Sequence, residues 1–210
     1  MEILTNKQRQ KPDETNDFEF YSTPKFVYHL DSNFRKNLSA VYKEEIKTNS
    51  SVLDLMSSWD SYLPKDIKYK KVIGHGLNEE ELNRNKAFDN YWIQNFNSNQ
   101  TIPLENETID YCLMVAAWQY LQYPEKITEE IIRILSKKGK FIIAFSNRAF
   151  WHKAPNIWTY SNENERIAYV RNILVSNGFY EPRIIRRFTK ENSFLPFLNH
   201  DPFYCVIAQK

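Results

Sequence analysis

Glycine is missing from the one turn where an open α/β sheet most needs it. The run Ser51-Val52-Leu53-Asp54-Leu55 is apolar, β-type and closed by an acid, and it passes directly into Met56-Ser57-Ser58-Trp59. Such a strand delivers the chain to a nucleotide at the carboxyl edge of a doubly wound sheet. Glycines are expected there because they let backbone N–H groups approach a ligand closely. The pattern predicts the fold and, at the same point, an altered ligand contact.

Other absences exclude whole classes. Net charge is small: 28 basic against 26 acidic residues leave +2, which gives no electrostatic case for nucleic acid or an anionic membrane. Cysteine is scarce, and Cys112 and Cys205 both lie in apolar strand-like runs, so two buried free thiols in a reducing cytoplasm are expected. The polar start, with Lys and Gln, predicts no secretory signal. No apolar run approaches the roughly 20 residues of a spanning helix, and no repeat of solenoid length is present. The four histidines show no metal-ligand spacing. No Ser-His-Asp or Cys-His constellation stands out. Gly74-His75-Gly76 lies on the second strand with no third glycine in place, which argues against a nicotinamide dehydrogenase.

What is present suits one folded domain. The chain has 210 residues, 42% of them hydrophobic and 15% aromatic. Residues 1–16 are polar and patternless and are expected to form a mobile arm. Residues 17–50 read as an aromatic segment and then a helix over 32–46. That helix has Asp31 or Ser32 as N-cap and Phe34, Leu38, Val41 and Tyr42 along one face. The remainder, 51–210, alternates. Strands are expected at 51–55, 71–74, 91–94, 109–116, 140–146, 183–187 and 203–208. Helices are expected at 78–85, 125–135 and 161–177, with Ser136-Lys137-Lys138-Gly139 closing the second and Gly178 the third. Strand–helix alternation through five strands gives a parallel sheet covered on both faces. The last two strands have no helix between them, so one must run antiparallel. The expectation is a Rossmann-like, doubly wound seven-stranded sheet, mostly parallel. The last strand is antiparallel and inserted between the fifth and sixth.

Four segments in this order resemble class I S-adenosylmethionine-dependent methyltransferases of the small-molecule type. Val52-Leu53-Asp54-Leu55 is similar to the family's first motif, and the stretch from Val72 to Leu82 to its second-strand motif. Ile102-Pro103-Leu104-Glu105-Asn106-Glu107-Thr108-Ile109-Asp110 resembles the approach to strand four. Tyr120-Leu121, Pro124, Ile131-Ile132-Arg133-Ile134-Leu135 and Gly139 resemble the helix that follows. The resemblance covers residues 51–210 and implies S-adenosyl-L-methionine as cofactor and a small molecule as substrate. The departures fall on cofactor positions. The first turn lacks glycine, Gly76 stands where an acid usually binds the ribose, and Asn95 stands where an acid often faces the adenine amino group.

On that resemblance the cofactor-binding candidates are Asp54, Met56, Ser57, Ser58, Gly76, Leu77, Asn78, Asn95, Phe96 and Ala116. Asp54 would orient the cofactor's amino group, or merely cap backbone N–H groups. Ser57 and Ser58 would offer hydroxyls and N–H groups to a carboxylate, or form an ordinary polar turn. Trp59 would wall the pocket or pack the next helix. Gly76 brings no charge to a ribose, and Asn78 is the candidate to replace it. Asn95 would bond an adenine edge as donor and acceptor, or form a strand-end turn. Ala116 and Ala117 leave room for a ligand. Substrate-binding candidates are Tyr21, Tyr28, Gln119, Tyr120, Arg148 and His152. Arg148 would pair with an anion and His152 would move a proton. Tyr21, Phe26, Tyr28 and His29 would form a lid, or pack the amino-terminal helix. No catalytic residue is identified. A methyltransferase acting on a small molecule is one reading. A fold that has lost catalysis and serves as a binding or regulatory module is the other.

Overall fold

The computed structural model describes residues 3–187 and 201–210. Seven strands form one sheet: β1 (Ser51–Asp54), β2 (Lys71–Gly76), β3 (Asn90–Ile93), β4 (Ile109–Val115), β5 (Leu135–Phe145), β6 (Arg183–Arg187) and β7 (Phe203–Gln209). Their order is β3-β2-β1-β4-β5-β7-β6. The strands from β3 to β5 pair in parallel, and β7 is antiparallel to both β5 and β6. The expected insertion of the last strand between the fifth and sixth is observed. The connection between β6 and β7 lies outside the described residues.

Alternating residues of the central strands feed two cores. Val52, Val72, Leu113, Ile142, Ala144 and Cys205 face one side. There α3 (Ser32–Glu45) buries Phe34, Leu38, Val41 and Tyr42, with the Asp31 carboxylate accepting the Phe34 N–H at the N-cap. Leu53, Cys112, Met114, Phe141, Ile143 and Val206 face the other. There they meet α5 (Pro124–Ile134) through Ile127, Ile131 and Ile134, and, beyond the one-turn α6 (Asn156–Thr159), α7 (Glu163–Ser176) through Val170, Ile173 and Leu174. Each such side chain stabilises the fold by about 1.5–3 kcal/mol, which is why the strands tolerate few polar residues. Cys112 on β4 and Cys205 on β7 are buried free thiols with β5 between them.

Several expectations are corrected. No helix joins β1 to β2 or β3 to β4; residues 55–70 and 94–108 cross as irregular chain. Trp59 therefore has no following helix to pack. Strand β2 runs two residues further than expected, to Gly76, because the strand-end partners Tyr91, Trp92 and Ile93 extend alongside it. Helix α5 ends at Ile134, and β5 begins at once. Residues 136–139 are then taken up as a bulge, with Ile109 opposite Leu135 but Tyr111 opposite Lys140. Gly139 is thus not a helix-ending glycine, and the left-handed residue there is Lys138. Helix α7 starts at Glu163, because Asn162 forms a capping box with Glu165. Gly178 does occupy the left-handed position after that helix, at φ 95°.

Residues 3–16, expected as part of a mobile arm, are packed. Leu4 and Arg9 are buried, and the Arg9 guanidinium pairs with Glu125 at the start of α5 and donates to the Gln122 carbonyl. Two short helices follow, α1 (Asn6–Arg9) and α2 (Asp17–Phe20). Lys11 bonds Asp17 at 2.9 Å, and the fully buried Lys153 meets Asp13 at 3.1 Å and the Thr15 carbonyl at 2.8 Å. Charges six to 140 residues apart in sequence close this strap. No local polar pattern announces them.

Candidate functional site

At the carboxyl ends of β1, β2, β4 and β5 lies a cavity of about 680 Å³, roofed by Tyr21, Lys25, Tyr28 and His29 of the strap. It opens where β1 and β4 lie side by side while their crossovers leave in opposite directions, the switch point at which open α/β sheets bind ligands. Both strands exit through left-handed residues, Met56 at φ 53° and Ala116 at φ 50°. Non-glycine residues in that region cost on the order of 1–3 kcal/mol and gather at functional sites.

The first turn is closed by a residue from the second strand. The Met56 N–H donates to His75 Nδ1 at 3.1 Å, and the Ser57 N–H donates to the His75 carbonyl at 2.7 Å. Because Nδ1 accepts, Nε2 carries the hydrogen, and it donates to the Gln94 carbonyl at 2.9 Å. The ring stacks on Phe96, with centroids 3.9 Å apart, and leans on Trp92. Burial pushes the His75 pKa down to about 3, so the imidazole is neutral. One side chain thus ties the ends of β1, β2 and β3 together.

The turn's hydroxyls are engaged as well. Ser57 donates to the Asp54 carboxylate at 2.6 Å, and Ser58 donates to Glu81. Asp54 is fully buried, and burial pushes its pKa up to about 7 despite the Ser57 and Ser61 hydroxyls, which pull it down. Gly76 admits the turn's backbone: a Cβ there would lie 2.6 Å from the Ser57 carbonyl oxygen. The backbone of the turn therefore occupies the space that a side chain at Gly76 would need. Asn78 caps α4 (Glu79–Arg84) with its carbonyl, and its amide donates to the Tyr21 and Ser22 carbonyls. Asn95 accepts the Asn97 N–H at 2.9 Å, and its amide nitrogen has no bond among the described residues.

On the far side of the cavity, the Tyr120 hydroxyl accepts the Phe150 N–H at 3.0 Å, and the two rings stack. Gln119 is 1% exposed, and its Oε1 has no hydrogen-bond partner among the described residues. Arg148 is held by Asp201, and Asp201 also accepts the Asp31 N–H, so this arginine fastens the roof. Burial raises the Tyr21 pKa well above the phenol range and lowers that of His29. Tyr28 packs on Trp59 and Tyr62 under Arg35.

The cavity brings together Asp54, Met56, Ser57, Ser58, Gly76, Leu77, Asn78, Asn95, Phe96 and Ala116 with Tyr21, Tyr28, Gln119, Tyr120 and Arg148. It leaves out His152, which is exposed with its ring edge on Phe20 and its carbonyl accepting the Asp13 N–H. It also leaves out Trp59, whose indole N–H donates to the Val27 carbonyl outside the cavity lining. Sequence reasoning missed His75, Lys25 and Phe150. A histidine inside a fully buried strand end was the available signal for the first. The other two meet only through folding. Among the described residues, no helix is long and apolar enough to cross a membrane.

Comparisons with known proteins agree with this geometry. Residues 60–143 match the model of the methyltransferase domain family, and the match begins just past the altered turn. No curated protein matches the chain. A methyltransferase from Aquifex aeolicus, described as S-adenosylmethionine-dependent, is 21% identical over 86% of this chain and 98% of its own, with a TM-score of 0.56. Phosphoethanolamine N-methyltransferase 2 of Haemonchus contortus, solved with S-adenosyl-L-methionine, is 14% identical over 87% of this chain and 54% of its own, at 0.61. A chain from the complex of the Haloferax volcanii Trm112 methyltransferase activator with a putative methyltransferase is 14% identical over 85% of this chain and 94% of its own, at 0.59. Sheet topology and these structures together define the fold: the chain has the Rossmann-like fold of S-adenosylmethionine-dependent methyltransferases, and its residues 60–143 match the methyltransferase domain family.

Proposed function

We propose that the protein is an S-adenosyl-L-methionine-dependent methyltransferase acting on a small molecule. The observation that carries this reading is the cavity of about 680 Å³ at the β1–β4 switch point, roofed by the protein's own strap. Its size falls within the roughly 300–1,000 Å³ of small-molecule sites. The residues present fit such a cofactor: Asn95 and Phe96 line one end with a free amide donor and an aromatic face, and Ala116 and Ala117 leave space at the middle.

The bound cofactor supplies an electrophilic methyl group. The chain's own contribution is orientation and exclusion of water, which methyl transfer chiefly needs. Tyr21, Tyr120 and Phe150 give the acceptor side an apolar wall, and Arg148 keeps the roof closed through Asp201. The enclosed volume suits a small acceptor better than a macromolecule. The two buried thiols suit a reducing cytoplasm.

One observation favours a second reading, a catalytically degenerate binding module. The Met56 and Ser57 N–H groups and the Ser57 and Ser58 hydroxyls are already bonded within the protein. Incubation with S-adenosylmethionine and a panel of small amines, phenols, thiols and carboxylates, read as release of S-adenosylhomocysteine, separates the two. Acceptor-dependent release is expected. Saturable cofactor binding with no release from any acceptor class would favour the module.

A further inference from the structure

In the turn that usually meets the amino-acid end of the cofactor, the first two N–H groups and both serine hydroxyls are engaged within the protein. Met56 and Ser57 N–H are bonded to His75, Ser57 Oγ to Asp54 and Ser58 Oγ to Glu81. An α-amino carboxylate is a zwitterion. It needs a cation or several donors at one end and an acceptor at the other. The same cavity holds one of each without a partner.

The cation is Lys25. Its backbone N–H bonds Glu81 at 2.6 Å, which places the residue beside the first turn through the carboxylate it shares with Ser58. Its ammonium lies 4.7 Å from the Phe20 ring centroid and 5.5 Å from those of Tyr21 and Phe150. Rings hold the charge in place but accept none of its three N–H hydrogens. Among the described residues, no carboxylate or carbonyl accepts them either. The other basic residues lining the cavity are paired, Arg148 with Asp201 and Lys153 with Asp13. The acceptor is Gln119 Oε1, buried and unbonded, on a residue next to Tyr120, whose ring stacks on the same Phe150 that flanks the Lys25 ammonium. A buried carbonyl oxygen left without a donor is costly unless a ligand supplies one.

We propose that Lys25 and Gln119 form the subsite for an α-amino carboxylate, and that it receives the amino-acid end of the cofactor in place of the first turn. This rests on the cofactor reading above. Lys25 would meet the carboxylate and Gln119 the ammonium. The strap would then be part of the binding site, and its closure and cofactor binding would be linked.

The test is calorimetric titration of the whole chain with S-adenosylhomocysteine and with 5′-methylthioadenosine, which lacks the amino-acid end. The parent is expected to prefer S-adenosylhomocysteine. Lys25→Gln is expected to weaken it about tenfold or more, as loss of one charge-assisted bond does, and to leave methylthioadenosine unchanged. Lys25→Arg should keep most of the preference, and Gln119→Leu should lose part of it. Thermal melts confirm that each variant is folded. Equal affinity of the parent for both ligands, or an equal fall for both in Lys25→Gln, overturns the subsite while leaving the adenosine site standing. A parent that binds neither ligand overturns the cofactor reading and the subsite with it. If L-methionine added to the methylthioadenosine complex binds with a Lys25 dependence that S-adenosylhomocysteine lacks, the pair serves an acceptor and the inference fails.

Discussion

His75 Nδ1 accepts the backbone N–H of Met56 at 3.1 Å, so the second strand, rather than a ligand, completes the turn after the first. Removing the ring strands the Met56 N–H and the Gln94 carbonyl and opens a hole against Phe96 and Trp92. His75→Ala is expected to destabilise the protein by about 2–5 kcal/mol. Urea denaturation checks this. A loss below about 1 kcal/mol would show that the turn holds itself.

His75 and Asp54 give opposite pH dependences. The His75 pKa is lowered to about 3, so its contribution to stability is complete above the unfolded value of 6.5 and is lost as pH falls below it. The Asp54 pKa is raised to about 7 from 3.8. The folded state therefore binds a proton that the unfolded state releases, and stability falls as pH rises from about 4 to 7. Between about 4 and 6.5 the two slopes oppose each other. Relative to the parent, Asp54→Asn should make stability rise more steeply with pH over this window. His75→Asn should tilt it the other way. Melting temperatures from pH 4 to 7.5 read both signs, and parallel curves for all three proteins would contradict the assignment.

Gly76 leaves space for the backbone of the first turn. A Cβ would approach the Ser57 carbonyl to 2.6 Å and the Leu82 side chain to 3.1 Å. The first neighbour is backbone and cannot turn aside. Gly76→Ala is expected to cost about 1–3 kcal/mol and to weaken Met56–His75 pairing, visible as faster amide exchange at Met56 and Ser57. Unchanged stability would show that the turn moves freely.

The strap is fastened by a buried ion pair. Arg9→Met leaves the Glu125 carboxylate buried without its guanidinium, although the Ile3 N–H still donates to it at 3.0 Å. Breaking such a pair costs about 3–5 kcal/mol. Limited proteolysis is expected to cut the variant within residues 3–16 under conditions that leave the parent whole. Equal resistance would mean that Lys11, Lys153 and their carboxylates suffice.

The legible parts of the fold share a physical origin. The apolar runs at Val52–Leu55 and Ile109–Ala116, and the helical spacing of Phe34, Leu38, Val41 and Tyr42, are set by local burial. The antiparallel last strand followed from two strands with no helix between them. The missing crossover helices were not legible, because a helix is a default inference where strands are parallel, and residues 57–70 carry no contrary repeat. The strap was misread because its cohesion comes from ions far apart in sequence. At the site, most candidates ended parallel strands and so came together by topology. His152 did not, because the loop after β5 turns its ring outward onto Phe20. Lys25 escaped notice because its third ring, Phe150, is 125 residues away.

The most direct measurement is a calorimetric titration of the intact chain with S-adenosylhomocysteine at pH 7.5. One saturable site per chain is expected, with micromolar affinity, a negative heat-capacity change from burial in the cavity, and chemical-shift changes at Asn95, Ala117 and Gln119. Absence of binding at millimolar ligand by a protein with an intact thermal transition would contradict the account at its centre.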